Sequence, residues 1–380
     1  MIITFIDSYY KGLYGAPKSM LSLAEGLIGK GCEVKIITTK CDLLVDAAKA
    51  KGISADAITC PTILVKSRLK FSFHDKLLYP IFLFIFWCKL LFVKNFNKVD
   101  VICINDIRSF LLFLPIIIKF RKKIFWYVRI NDRLKYLTSI AAFLSKGIIL
   151  ISMDCYKMFS KHEVEIYKEK FFVIHTGFDF SDKTNDSNSN VNVAHKDNDV
   201  VFISVGSICE RKNQKVIIDA FSKLKIKNKG KHLYLLGSPP SENDFTYYDE
   251  LVDMINDKNI SSMVTLIPHT PFVKEYLSMA NIFLFASHKE GLPRVIIEAI
   301  YAGCNIVTSL VDGVTDIIIS KDLGLVTSSK ASEVNFDTEF LSLMEKSIEL
   351  PQDKELKREI IKKKFSYEKY INNFLFFINN

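Results

Sequence analysis

The chain has 380 residues, of which 49% are hydrophobic and 24% charged. That balance excludes disordered, collagen-like and coiled-coil chains, and the length fits two domains. The net charge of +9 is unevenly spread: residues 1–150 hold 23 Lys+Arg against 10 Asp+Glu, and residues 151–380 hold 28 against 32. An N-terminal half at +13 points to an anionic partner there.

The first ten residues, MIITFIDSYY, lack a basic n-region and read as a β-strand rather than a signal peptide. Short apolar runs then recur between helical patterns. Strands are expected at Ile2–Ile6, Val34–Thr38, Ile63–Val65, Val101–Ile104, Ile124–Val128, Ile148–Ile151 and Phe172–Ile174, with a helix at Ser19–Gly29. Strand, helix and strand in this rhythm imply right-handed βαβ units on a parallel sheet. Residues 181–198, rich in Ser, Asn and Asp, read as a polar linker. The rhythm resumes with strands at Val200–Val205, Leu233–Leu236, Val264–Ile267, Ile282–Ala286, Asn305–Thr308 and Leu323–Val326. The expected fold class is α/β, with two doubly wound parallel-sheet domains at 1–180 and 199–355. Residues 356–380 form a terminal helix whose aromatic face needs a partner. Ligands of such sheets bind beyond the carboxyl ends of the strands, so two facing domains would enclose a cleft.

Two apolar runs in the basic half bear on the membrane. Leu77–Val93 is 17 residues long, interrupted by Pro80 and Lys89, and Phe110–Phe120 leads into Arg121, Lys122 and Lys123. A span needs about 20 apolar residues. The first run is either a buried helix or a helix lying in the membrane interface, where basic flanks meet anionic lipid. Eight scattered cysteines without a C-x-x-C pair read as reduced thiols of a cytosolic protein. No metal-ligand cluster is evident. Gly12–Ser19 imitates a phosphate-binding loop, but Pro17 stands where that loop needs a glycine N–H. No nucleic-acid motif is present.

The most informative stretch is Phe283–Asp316, FLFASHKEGLPRVIIEAIYAGCNIVTSLVDGVTD. A buried strand runs into a loop carrying Glu290 and Gly291, and a helix beginning near Pro293 carries Glu298. Free N–H groups near Gly291–Arg294 make an anion site between the two carboxylates. The spacing alone favours the plainer reading of a capping Glu and an exposed helix Glu. Asn105-Asp106 and Arg129, Asn131 and Asp132 lie just past expected strand ends, as ligands or as helix caps.

The stretch resembles the E-x7-E signature of the retaining family 4 glycosyltransferases of the GT-B fold. The match extends through Ser287, Glu290-Gly291-Leu292-Pro293, Glu298-Ala299, Ala302-Gly303, and Gly313 ahead of Asp316. The resemblance implies two facing Rossmann-like domains with a cleft between them. It implies a nucleotide-diphospho-sugar donor and no metal requirement. Glu290 would contact the donor hexose and Glu298 the ribose, with Gly291, Leu292 and Pro293 facing the diphosphate. Val205–Phe221 is similar to the family's diphosphate-neutralising element: Gly206 keeps the glycine, Lys212 keeps the lysine, Ser207 replaces the arginine, and neighbouring Arg211 can supply the missing charge. Val173–Asp179 resembles the turn before the second domain, and Gly15-Ala16 the glycine-bearing first loop that faces the acceptor. The terminal FSYEKY is similar to the helix that crosses back to the N-terminal domain. Many members carry a His in that domain; here only His74 precedes residue 150, and it is a poor match.

The expectation is a hexosyl transfer in bacterial surface polysaccharide synthesis, such as lipopolysaccharide or capsule. The acceptor would be a glycan or a lipid-linked glycan. The enzyme would be cytoplasmic and peripheral on the anionic inner face of the cell membrane. Alternatives are a nucleotide-sugar epimerase of the same architecture and a non-catalytic nucleotide-binding subunit.

Overall fold

The computed structural model describes residues 1–8, 15–41, 43–66, 71–180, 191, 193–241 and 244–380. Residues 9–14 and most of the expected linker at 181–198 fall outside this description. The chain divides into two units, Met1–Asp179 with Tyr367–Asn380, and Phe180–Ser366.

The first unit is a seven-stranded parallel sheet. Its strands are β1 (Ile2–Ile6), β2 (Glu33–Thr38), β3 (Ser54–Ala57), β4 (Val101–Ile104), β5 (Ile124–Val128), β6 (Gly147–Leu150) and β7 (Phe171–Val173), in the order β3-β2-β1-β4-β5-β6-β7. Every residue of β4, β5 and β6 is buried, because helices cover both faces of the sheet. The helices are α1 (Gly15–Gly29), α2 (Leu43–Ala50), α3 (Thr62–Val65), α4 (Phe73–Leu91), α5 (Ile107–Leu112), α6 (Leu114–Lys119), α7 (Lys135–Leu144) and α8 (Lys161–Ile166).

One expected strand needs correction here. Ile63–Val65 is not a strand but the end of α3: Pro61 presets the backbone entering that turn, and the Leu64 N–H donates to the Pro61 carbonyl. The strand beside β2 is instead β3, Ser-Ala-Asp-Ala, a polar edge strand tied by the Lys35–Asp56 ion pair at 2.6 Å.

The second unit is a six-stranded parallel sheet. It comprises β8 (Val200–Val205), β9 (Lys231–Leu236), β10 (Val264–Ile267), β11 (Ile282–Phe285), β12 (Asn305–Thr308) and β13 (Leu325–Val326), in the order β10-β9-β8-β11-β12-β13. Its helices are α9 (Gln214–Lys223), α10 (Phe245–Asp257), α11 (Val273–Met279), α12 (Arg294–Ala302), α13 (Val314–Ile317), α14 (Phe336–Ile348) and α15 (Lys354–Phe365). One face of the sheet packs Phe202, Leu233 and Leu284 against Ile217 and Phe221 of α9 and Phe340 and Met344 of α14. In each unit the strand order reverses at one point, between β1 and β4 and between β8 and β11. Doubly wound sheets hold their ligands outside such points.

The expected terminal helix over 356–380 is two helices, α15 and α16 (Tyr367–Asn379), parted at the extended Ser366. α15 belongs to the second unit, where buried Lys357 donates to the Cys304 carbonyl at 3.1 Å and Asn305 Oδ1 at 2.5 Å. α16 belongs to the first. Its aromatic face meets Phe5 through Phe374 (centroids 6.0 Å apart) and Phe172 through Phe377 (5.1 Å), and Ile371 lies over Gly26, where a Cβ would clash.

Glu163 closes the capping box of α8 with Ser160 and accepts from Ser139 at 2.5 Å and Arg133 at 3.1 Å. Burial pushes its carboxyl up, but these donors outweigh it and hold the pKa at about 2 instead of 4.5. A depressed folded pKa means the stabilisation is complete above pH 4.5 and fades as pH falls toward 2. Glu163→Gln is expected to cost about 1–3 kcal/mol at neutral pH. Thermal melts across this window should show a shallower acid loss in the variant than in the natural chain.

Candidate functional site

The polar residues of the second unit gather where its strand order reverses. β8 ends at Val205, and Gly206 follows with φ +155°, its N–H donating to the Leu236 carbonyl at 2.9 Å. A Cβ on Gly206 would come within 3.3 Å of the Lys212 side chain, so the glycine leaves that side chain its path. Residues Glu210–Lys212 form one 3-10 turn, closed by Asn213 in the left-handed region before α9 begins. The Gln214 side chain donates to the Ser207 carbonyl at 2.9 Å and ties the loop to the first turn of α9. The turn directs Arg211 and Lys212 toward the loop that follows β11.

That second loop holds Glu290 at the meeting point. Its Oε1 accepts from Arg211 Nη1 at 2.6 Å, Lys212 Nζ at 2.7 Å and Ser287 Oγ at 2.9 Å. Arg211 Nη1 also donates to the Lys289 carbonyl at 2.7 Å, and the His288 N–H donates to the Arg211 carbonyl. The two loops are thus stitched through backbone as well as side chains. Lys212 is largely enclosed and sits 4.7 Å over the Phe285 ring, whereas the Arg211 side chain is 45% exposed. Burial raises the pKa of Glu290, but the charges of Lys212 and Arg211 and the bonds from Lys212 and Ser287 prevail and keep it below its usual value. Glu290 is therefore ionised at neutral pH.

Beyond Glu290 the chain enters α12 through Gly291, Leu292 and Pro293, all buried. Pro293 is the N-cap and makes no side-chain cap bond, so the positive end of the helix dipole at this entry is not met by a capping side chain. Gly313, with φ +80°, approaches this entry closely: a Cβ there would lie 2.3 Å from the Gly291 carbonyl oxygen. Glu298 lies half-buried on α12. The structure thus joins Glu290, Arg211 and Lys212 directly and sets Gly206, Ser207 and Gly291–Pro293 beside them.

The first unit presents a separate cluster at its own reversal point. Asn105, just past β4, donates to Asp7, just past β1, at 2.5 Å and accepts from Arg129 Nε at 2.8 Å. Arg129 Nη1 reaches Ser19 Oγ at 2.8 Å, and its guanidinium lies 3.5 Å from the Tyr127 ring centroid. Asp106 is a cap: its carboxylate accepts the Ser109 N–H of α5 at 2.9 Å and the Ser8 N–H at 3.2 Å. Asn131 and Asp132 lie in the loop after β5, and α7 is capped by Leu134, so neither is its cap. Gly15 begins α1 and Ala16 follows; among the described residues a Cβ on Gly15 would meet nothing within 4 Å.

Sequence reasoning missed Asp7 and Ser19 as members of this cluster, and Phe285 as a support of the other; Ser287 and Gly313 stood in the matched stretch without a stated role. Asp7 and Phe285 lie at strand ends, which could have marked them, whereas Ser19 lies within α1 and gave no such signal.

Residues 186–364 match the family model described as glycosyl transferases group 1. Among curated proteins, the chain is 25% identical over 178 residues to the capsular polysaccharide biosynthesis glycosyltransferase CapH of Staphylococcus aureus, covering 47% of this chain and 46% of that protein. It is 29% identical over 129 residues to the N-acetylgalactosamine-N,N'-diacetylbacillosaminyl-diphospho-undecaprenol 4-alpha-N-acetylgalactosaminyltransferase of Campylobacter jejuni, covering 34% of this chain and 33% of that one. The chain thus spans about half the length of the first relative and a third of the second. Among solved structures, Anabaena Alr3699/HepE, in complex with UDP and glucose, aligns with a TM-score of 0.72 at 14% identity, covering 100% of this chain and 99% of that one. That likeness is one of fold, and the fold is GT-B.

Proposed function

We infer the function from one premise: residues 186–364 match the model of the glycosyl transferases group 1 family. On it we propose a retaining glycosyltransferase that moves a hexosyl-type sugar from a nucleotide-diphospho-sugar to a glycan or lipid-linked acceptor. Its setting is bacterial surface polysaccharide synthesis at the inner face of the membrane. The observation that carries this reading is the clamp of Lys212 and Arg211 on Glu290 beside the uncapped start of α12. Two cations and a helix N-terminus form a charge trap of the kind a departing diphosphate requires. Positioning of the acceptor hydroxyl on the same sugar face as the leaving group supplies the rest of the barrier reduction. The Staphylococcus relative's name supports the polysaccharide setting, and the Campylobacter relative's name supports a lipid-diphosphate acceptor.

Calorimetric titration with UDP-, GDP- and ADP-sugars tests the reading: one series should bind, and acceptor-dependent release of its nucleoside diphosphate should follow. NMR of the product should show the donor's anomeric configuration. Release of an epimerised sugar nucleotide without acceptor would instead identify an epimerase, and binding without turnover a non-catalytic subunit.

Arg211 takes over the charge that Ser207 cannot supply. Arg211→Ala is expected to lower turnover about tenfold, since a half-exposed cation is partly screened. Adding Ser207→Arg to that variant should restore most of the loss in steady-state assays. No recovery would show that Arg211 acts otherwise than through the diphosphate.

A further inference from the structure

α4 is predominantly apolar on its outer as well as its inner side, yet only the inner side is covered. Leu83, Phe86 and Leu90 are buried, with Phe86 edge-on to Phe113 at 5.9 Å and Trp87 donating to the Leu111 carbonyl at 3.2 Å. Phe73, Leu77, Ile81, Phe84, Ile85 and Leu91 are each 53–72% exposed. At about 100° per residue, these six fall within an arc of roughly 120°, and the three buried residues centre on the opposite side. An ordinary surface helix puts charge on its outer face, and a helix apolar all round is ordinarily enclosed. Phe92, the C-cap, extends the patch at 85% exposed. α4 is not loosely attached. Ser72 and Asp75 form a capping box at its start, Lys66 pairs with Asp75 at 2.5 Å, and Lys89 donates to the Thr59 carbonyl.

Charge identifies what covers the face. Residues 66–123 contain 12 Lys+Arg against 3 Asp+Glu, a net charge equal to that of the entire chain. Lys76 is exposed in the first turn of α4, Lys94 and Lys98 are exposed just past its end, and Lys119, Arg121 and Lys122 are exposed at the end of α6, which packs on α4. A second copy on this face would set like charges together, which is costly. A bilayer rich in anionic headgroups satisfies both features, with acyl chains against the aromatic and aliphatic side chains and phosphates against the cations. No helix among the described residues is long and apolar enough to cross a membrane. With its inner side occupied by protein, α4 has only its outer side to offer a bilayer.

We propose that the outer face of α4, from Phe73 to Phe92, is a membrane-docking surface selective for anionic lipid. This deepens the transferase reading by assigning the surface that would bring the chain to a lipid-linked acceptor. Its test needs neither donor nor acceptor, so its failure leaves the transfer chemistry standing. The full chain is floated with vesicles of equal parts phosphatidylglycerol and phosphatidylcholine, and with phosphatidylcholine alone, at low and high salt. Bound protein should fall roughly tenfold or more without the anionic lipid. High salt should reduce it in the same direction. Ile81→Asp with Phe84→Asp should abolish flotation while leaving the melting temperature and nucleotide-sugar binding unchanged, because both side chains face solvent. Lys94→Glu with Lys98→Glu should weaken it. Flotation of the aspartate variant equal to that of the natural chain, or equal binding to neutral vesicles, would overturn the proposal. A dimer that the aspartate pair dissociates, together with no vesicle binding, would assign the face to a second copy instead.

Discussion

Replacing Lys212 by alanine is expected to lower turnover by about 10²–10³-fold, the loss typical when one fixed donor to developing negative charge is removed. The expectation follows from how the ammonium is held. Gly206 leaves room beneath it, the Phe285 ring lies 4.7 Å from it, and only 13% of the side chain meets solvent. In so enclosed a place a unit charge acts with less screening than it would in water. It is also prepositioned, so little reorganisation accompanies departure of the diphosphate. The fold should survive, because Glu290 keeps Arg211 and Ser287 as donors when Lys212 is truncated. Steady-state kinetics and a thermal melt of the same preparation separate the two effects. Lys212→Arg tests position against charge: it retains the cation but moves its donors, and should recover only part of the rate. A natural-like rate in Lys212→Ala would remove this residue from the leaving-group site.

The parts of this molecule legible in its sequence were those with local causes. β1, β4, β5, β8 and β12 lie at the expected residues, since a strand buried on both faces must be a short apolar run, and the half-buried edge strand β10 is apolar enough to show as well. β3 escaped notice because an edge strand needs no such run, and Ile63–Val65 misled because three apolar residues carry no period. The break at Ser366 was hidden for a related reason: both flanking segments are strong helix formers, and each follows the unit it packs in. At the site, the loop position of Glu290 and the start of α12 could be read from glycine and proline placement. The clamp itself could not, because it joins residues 78 and 79 positions apart whose meeting depends on β8 and β11 being neighbours in the sheet. The cluster of Asp7, Asn105, Arg129 and Ser19 was equally non-local. Asn105 and Arg129 stood out alone as residues past strand ends, and their partners emerged only with the fold.

Glu290→Gln should separate binding from transfer. The Glu290 carboxylate accepts from both Lys212 and Arg211, so an incoming diphosphate competes with it for the same donors and is repelled by its charge. Glutamine keeps an oxygen for Ser287 but removes the charge. A nucleoside diphosphate is then expected to bind roughly tenfold more tightly, about 1.4 kcal/mol. Transfer should nevertheless fall about 100-fold, since on the proposed reading the same carboxylate orients the donor sugar. The pH dependence has a matching sign. Because the pKa of Glu290 is held below 4.5, the natural chain reaches the neutral state that glutamine imitates only in acid. Its diphosphate affinity should therefore show no Glu290 titration across the neutral range and strengthen as pH falls below the usual carboxylate value, while the Gln variant shows no such rise. Calorimetry at several pH values, paired with turnover, checks both halves. Weaker diphosphate binding in Glu290→Gln would mean that the carboxylate holds the two cations in place for the donor rather than competing with it.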